Sequence, residues 1–174
     1  MRVRQRSYPV SREPEIPIRV VSQEPDDHVF ARWSNLTLIH WRTEPRGSHV
    51  RGLEDMARQV LQDHPEGFST VQLVREGIGL PDAEARAGIA KMMSDLDMNI
   101  ACIAVVFMGA GFWVSALQSV VTGIRLLAPR TFQMRFASEP IDLATWLPAH
   151  HHRRTGVQID PAALAQAIDR VLSL

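Results

Sequence analysis

The feature that most constrains the fold is the stretch Asn99–Ile124, in which no residue carries a formal charge. Its first part, Ile100–Met108, is a continuous apolar run rich in β-branched residues, which is typical of a strand buried on both faces of a sheet. Two glycines end this run, and from Phe112 to Ala128 the apolar residues recur at helical spacing. The stretch therefore predicts a buried strand followed by a helix. A transmembrane helix is the alternative, but it needs no strand-like start and tolerates polar residues poorly.

Strand-like and helix-like segments alternate through the rest of the chain. Two segments rich in strand formers, His28–Trp33 and Leu36–Trp41, flank Ser34 and Asn35 and predict a β-hairpin in which Asn35 takes a positive φ. Helical and strand patterns then follow in turn, up to a short helix predicted to stop near Pro148. The alternation predicts an α/β fold with a mostly parallel sheet of four to five strands covered by helices, an N-terminal hairpin and an extra C-terminal helix.

The positions of prolines and helix-capping residues predict three segments along the chain. Residues 1–27 contain four prolines and are expected to form a flexible arm, within which 16–21 can add an edge strand. Residues 28–149 form the α/β domain, and 150–174 form a linker and a C-terminal helix that Asp160 caps.

Composition narrows the function classes. The 174 residues have zero formal net charge and a pI near 7.1, so no overall field attracts nucleic acid or an anionic membrane. No apolar region follows the basic N-terminus, so a secretory signal is not expected. The single cysteine, Cys102, lies in the most apolar run and is expected to be a buried thiol, which fits a reducing cytoplasm.

Several segments carry a family resemblance. They are Ile103–Val106, the following helix with Trp113 near its start, the strand Phe132–Phe136, and the closing helix Pro140–Leu147. Together they resemble the STAS superfamily, the sulphate-transporter and anti-sigma-factor-antagonist fold, and most closely its STAS-like bacterial branch, over residues 28–149. The resemblance implies a non-enzymatic switch that docks a kinase or another protein partner, and in some branches a bound nucleotide or lipid.

The resemblance also implies a phosphorylated serine at the start of the helix that follows the strand 68–74. Here that segment begins Pro81-Asp82-Ala83 and contains no hydroxyl group, so a serine phosphoswitch is not expected. Asp82 or Glu84 either stands in as a permanent negative charge or is an ordinary first-turn acid that favours the helix dipole.

No catalytic constellation, metal site or cofactor site is expected from the residues. No serine lies in a nucleophile-elbow motif, and His150–His152 lack ligands at metal-binding spacing, which indicates a solvated helix end. His40 and His49 could approach Glu44 or Asp55, but helix-cap or surface roles are the favoured interpretation. Gly109 and Gly111 are either a ligand loop or a tight strand-to-helix turn, since the third glycine of a dinucleotide fingerprint is absent.

The outward face of the helix after Phe112 is the predicted site of function, because it is polar but uncharged. Its residues are Trp113, Ser115, Gln118, Ser119, Thr122 and Leu126. A face depleted in charge is typical of a contact surface, for a protein partner or for a second copy in a homodimer. Cover by the N-terminal arm or the C-terminal helix is the alternative. The sequence thus predicts a regulatory or scaffold module, or alternatively a carrier of a small lipid or nucleotide bound near Gly109.

Overall fold

The computed structural model describes residues 17–109, 112–126 and 131–174, and for residues 112, 113 and 125 it describes the backbone alone. These residues form a six-stranded, mostly parallel sheet with five α-helices. The predicted α/β class is confirmed. Within the described residues, no helix combines the length and the apolar character that crossing a bilayer requires.

The strands lie in the sheet in the order in which they occur along the chain. They are β1 (Arg19–Glu24), β2 (His28–Trp33), β3 (Leu36–Trp41), β4 (Phe68–Arg75), β5 (Ile100–Met108) and β6 (Gln133–Ala137). The pairs β1–β2 and β2–β3 are antiparallel, whereas β3, β4, β5 and β6 pair in parallel.

The helices cover both faces of this sheet. They are α1 (Gly47–Asp63), α2 (Ala83–Asp95), α3 (Phe112–Leu126), α4 (Trp146–Thr155) and α5 (Pro161–Ser173), with a 3-10 helix at Pro140–Leu143. Side chains of α1, α2 and α3 pack on one face, whereas those of α4 and α5 pack on the other.

The uncharged stretch divides as its pattern predicts, into strand β5 and helix α3. β5 lies between β4 and β6, and every residue of it except Met108 is buried. Ile103 and Phe107 face α1–α3, whereas Cys102 and Val106 face α4 and α5. An apolar strand of this kind is stable only where helices cover both of its faces.

The hairpin of β2 and β3 has the predicted bounds, but the prediction that Asn35 takes a positive φ was wrong. Ser34 has the positive φ, at 51°. Asn35 is fully buried, and its side-chain amide donates to the carbonyl of Gly67 at 3.0 Å. This hydrogen bond holds the Asn35 side chain inside the protein, so the neighbouring serine makes the left-handed turn.

Two further features differ from the prediction. The sheet has six strands rather than four to five, because Arg19–Glu24 pairs with β2 at the edge. The helix predicted to stop near Pro148 is a 3-10 helix followed by α4, which continues to Thr155. Pro148 is the third residue of α4, where a backbone N–H has no partner within the helix, and so proline does not break it.

Helices α1 and α2 approach each other closely at Gly88. An ideal Cβ at Gly88 would lie 2.8 Å from Cγ2 of Val50, a residue of α1. Because valine has a stiff side chain, it cannot easily move away from such a methyl group. The absence of a side chain at residue 88 therefore sets the distance between the two helices.

We expect Gly88→Ala to lower the free energy of unfolding by about 1 to 3 kcal/mol, because overpacking outweighs the roughly 1 kcal/mol gained in helix propensity. Gly123→Ala in α3 is the matched control, since a Cβ there meets no described atom within 4 Å. It should raise the free energy of unfolding by up to about 1 kcal/mol. Urea unfolding of both variants tests this, and equal stabilisation by both would contradict the close contact.

Candidate functional site

The predicted interface residues of α3 lie on its solvent side. Ser115, Ser119, Thr122 and Leu126 are exposed, Leu126 at 73% of its area, and Gln118 is half-buried. The opposite side of the helix packs against the sheet. Trp113 lies in the first turn of α3, but its side chain is outside the described residues.

The outward face of α3 differs from that of the other helices in its charge. In the part of the chain that the structure describes, no exposed side chain of α3 is charged. Each of the other four α-helices exposes charged residues: Arg51, Asp55 and Arg58 on α1; Glu84, Arg86, Lys91 and Asp95 on α2; Arg153 and Arg154 on α4; Asp169 and Arg170 on α5. The lack of charge among the described side chains of α3 is therefore not shared by the rest of the surface; the side chain of Arg125 lies outside the described residues.

Other described parts of the chain do not cover this face. The C-terminal helix α5 packs on the opposite face of the sheet, against β2 and β3. Strand β1 lies at one edge of the sheet, whereas α3 packs near β5 and β6 at the other edge. Residues 1–16 of the predicted arm lie outside the described residues.

The polar groups on the outward face are partly satisfied within the helix itself. The hydroxyl of Ser119 donates to the carbonyl of Ser115 at 2.9 Å. A hydroxyl that is already hydrogen-bonded to its own helix loses less on leaving water than a free one. This surface can therefore be buried against another protein at a lower desolvation cost than a charged one.

A second cluster of polar side chains lies around Asp27, in the turn between β1 and β2. Its Oδ2 accepts a hydrogen bond from Nε2 of His49 at 2.9 Å, and its Oδ1 accepts one from Nη2 of Arg46 at 2.8 Å. Nδ1 of His28 lies 3.4 Å from the same Oδ2. The carboxylate thus joins the β1–β2 turn to the N-terminus of α1.

The electrostatics of this cluster favour a charged carboxylate. Burial alone raises the pKa of Asp27. The hydrogen bond and charge of His49, together with His28 and Arg46, lower it by more than burial raises it, so the pKa lies below its usual range. Burial also lowers the pKa of His28.

Asp27, His28 and His49 are close enough to be considered as a metal site, since one ligand atom from each lies within 4.8 Å of the others. The hydrogen bonds disfavour this role. The backbone N–H of Arg46 donates to Nδ1 of His49 at 3.0 Å, so the proton of a neutral His49 is on Nε2. Nε2 therefore has no lone pair for a metal, and the cluster fits a helix-capping role for His49, as the sequence predicts.

A third polar group is a buried chain of hydrogen bonds between α4 and the sheet. Nδ1 of His151 lies 2.8 Å from Oγ of Ser69, and Nε2 of His151 lies 2.9 Å from Oδ1 of Asn35. Sγ of Cys102 lies 3.2 Å from the same serine oxygen. Because Asn35 accepts through its oxygen, His151 is protonated on Nε2 and accepts from Ser69.

This series of hydrogen-bonded side chains contains the residue types of a nucleophile, a base and an orienting group, but a substrate cannot reach it. Ser69, His151 and Asn35 are all fully buried. Burial lowers the pKa of His151 to about 4 and raises the pKa of Cys102 to about 11. Both groups are therefore neutral at pH 7, and these hydrogen-bonded side chains have the structural role of holding α4 against the sheet.

The remaining predicted residues have structural roles in the described part of the chain. Asp82 caps α2 by accepting from the backbone N–H of Ala85 at 2.6 Å, and Ala83 is the exposed first residue of that helix. At Gly109 φ is positive, and a Cβ there would lie 2.8 Å from Cγ of Glu76, which supports the tight-turn interpretation. Gly111 lies outside the described residues.

The three consecutive histidines of α4 have different environments. His151 is buried in the hydrogen-bonded chain, His152 is exposed, and His150 stacks on Trp146 with ring centroids 4.5 Å apart. The expectation of a solvated helix end therefore fails for His151. Its partners are more than 80 residues away in sequence, and no local pattern indicates them.

The sequence was also compared with known proteins. No protein-family model matches it, and no curated protein matches it either.

The buried His151 makes stability depend on pH. Its folded-state pKa of about 4 lies below the ordinary value of 6.5, so below pH 6.5 the unfolded chain binds a proton that the folded protein excludes. The free energy of unfolding should thus fall by about 3 kcal/mol from this group as the pH drops towards 4.

We expect His151→Gln to remove this contribution and to reduce the slope of unfolding free energy against pH between 7 and 4, while His40, whose pKa burial also lowers to about 4, keeps a slope of similar origin. His152→Gln changes the adjacent exposed histidine and should leave the profile unchanged. Urea unfolding across this pH range tests the pair, and identical slopes for wild type and His151→Gln would contradict a buried neutral His151.

Proposed function

We propose that this chain is a non-enzymatic regulatory or scaffold module that binds protein through the outward face of α3. The observation that carries the proposal is that the described exposed side chains of α3 are all uncharged, whereas each of the other four α-helices exposes charged residues. Burying a charge in an interface requires a partner charge, whereas a neutral polar and apolar face requires only a complementary shape.

A large apolar side chain completes this face at the end of the helix. Leu126 is the last residue of α3 and is exposed at 73% of its area. A large exposed apolar side chain beside neutral polar residues is typical of a binding surface. The docking surface is therefore defined as Ser115, Gln118, Ser119, Thr122 and Leu126.

A second copy of the chain is the simplest occupant. The surface carries no charge in the described residues, so two copies meet there without repulsion, and zero net charge adds no repulsion at longer range. A different protein with a neutral surface is the alternative occupant, and mass in solution separates the two.

The buried chemistry supports a role without catalysis. The Ser69–His151–Asn35 chain is sealed, and the nitrogens of His49 are used by Asp27 and by the backbone of Arg46. A catalytic group needs contact with a substrate, which these side chains do not have.

The resemblance to STAS-like bacterial domains supports the same proposal. The sequential order of the parallel strands agrees with the element order on which the resemblance depends. The segment starting at Asp82 and Ala83 has no hydroxyl group for phosphorylation, so we propose a docking module without a serine switch. The free buried thiol of Cys102 supports a location in the cytoplasm.

We expect the double substitution Gln118→Glu and Ser119→Glu to abolish self-association or to weaken partner binding at least tenfold, because it places two unpaired charges in the interface. Light scattering and pull-down from the native host measure these two effects.

The matched control is Ala162→Glu with Gln166→Glu, which adds the same charge to exposed positions of α5 on the opposite face of the sheet. This control should assemble like the wild type. Equal binding by both double variants, or a wild type that stays monomeric and retains no protein, would contradict the proposal.

A further inference from the structure

A cavity of about 40 Å³ lies between the sheet and the helices α1 and α2. Since one water occupies roughly 10 to 15 Å³ on this measure, the space fits about three to four non-hydrogen atoms. It is distinct from the docking surface on α3 and from the turn at Gly109, where the sequence places its alternative ligand site. A site at this position would be independent of the proposed function.

The floor of the cavity is polar, which is unusual for the inner face of a central sheet. Thr37 and Thr70 are paired in register on β3 and β4, and Oγ1 of Thr37 donates to Oγ1 of Thr70 at 2.8 Å. Gln72 lies two residues further along β4, and its Oε1 accepts from Nε1 of Trp41 at 3.1 Å.

The hydrogen bond between the two threonines leaves a donor beside the cavity. Thr70 accepts from Thr37, so its own hydroxyl proton remains to be donated. A ligand that accepts a hydrogen bond satisfies this donor, which is otherwise costly inside a protein.

The walls of the cavity exclude a charged ligand. Apart from the two threonines and the glutamine, the lining is apolar, and no charged side chain is part of it. Bringing an unpaired ion into such a site costs far more than one hydrogen bond returns. The walls and the volume together exclude a nucleotide.

The roof of the cavity can adapt to its contents. Met56, Met92 and Met93 line it, and methionine side chains are unbranched and change shape easily. Gly88 holds α1 and α2 together at one end, so any adjustment takes place towards the other end, where Met92 and Leu96 are only half-buried.

We propose that this cavity binds a small uncharged organic molecule with one hydrogen-bond acceptor, such as a short ketone or alcohol. The acceptor oxygen receives the free hydroxyl proton of Thr70, and the alkyl part contacts the methionines. Binding occurs without covalent change.

The test uses the wild-type protein with two probes of nearly equal shape that match the size of the cavity, acetone and 2-methylpropene, which differ by a carbonyl oxygen against a methylene group. We expect acetone to shift the methyl NMR signals of Met56, Met92 and Met93 in a saturable way, about tenfold more tightly than the alkene, because only the ketone accepts a hydrogen bond. No saturable shift, which means a cavity holding water alone, or equal affinity for both probes would overturn the proposal.

Two variants localise the effect. Thr70→Val should weaken acetone binding about tenfold and leave alkene binding unchanged, because it removes the donor and keeps the shape. Ala57→Ile, at a buried position that lines the cavity, should prevent binding of both probes. The selectivity of the wild type between the two probes does not depend on how either variant folds, and wild-type ketone affinity in Thr70→Val would also overturn the proposal.

Discussion

The rest of the structure depends on the burial of strand β5 on both faces. Its residues offer no side-chain charge, and its backbone groups pair with β4 on one side and β6 on the other. Helices must therefore cover both faces of the sheet, and the connection from β5 to β6 must itself be a helix packed on that sheet. Helix α3 is this connection, so its inner side is fixed by the strand that precedes it. Only its outer side is free to carry another function.

Two groups of hydrogen-bonded side chains on opposite faces of the sheet are satisfied to different degrees. On the side of α4 and α5, Cys102, Ser69, His151 and Asn35 form one chain in which each group is satisfied. On the side of α1 and α2, Thr70 keeps a donor that no described residue accepts, next to a cavity. The first arrangement locks α4 onto the sheet, since an unpaired group in a dry interior is costly. The second leaves a position where a ligand can replace the missing partner.

Local patterns in the sequence predict the elements but not the contacts between them. The alternation of apolar residues predicts the hairpin His28–Trp41, and the uncharged run predicts β5 and α3, because periodicity depends only on neighbours in the chain. The partners of Asp27 and His151 lie far away in sequence, so the cluster and the buried chain could not be predicted. The stop expected at Pro148 failed because first-turn prolines cost a helix little, and the sequence does not show where that turn begins. The charge pattern of α3 could be read directly, since exposure follows from helical spacing.

The central claim is that the outward face of α3 is exposed in a single chain and is covered by another protein on assembly. Thiol labelling of Ser119→Cys tests this claim most directly. The native Cys102 is fully buried with a pKa of about 11, so it serves as an unreactive internal reference. We predict that a maleimide labels the introduced thiol rapidly in dilute protein, and that labelling slows at least tenfold once the protein is assembled. Slow labelling in dilute protein, at the rate of Cys102, would mean that the chain covers its own helix. An unchanged rate on assembly would mean that proteins do not bind there.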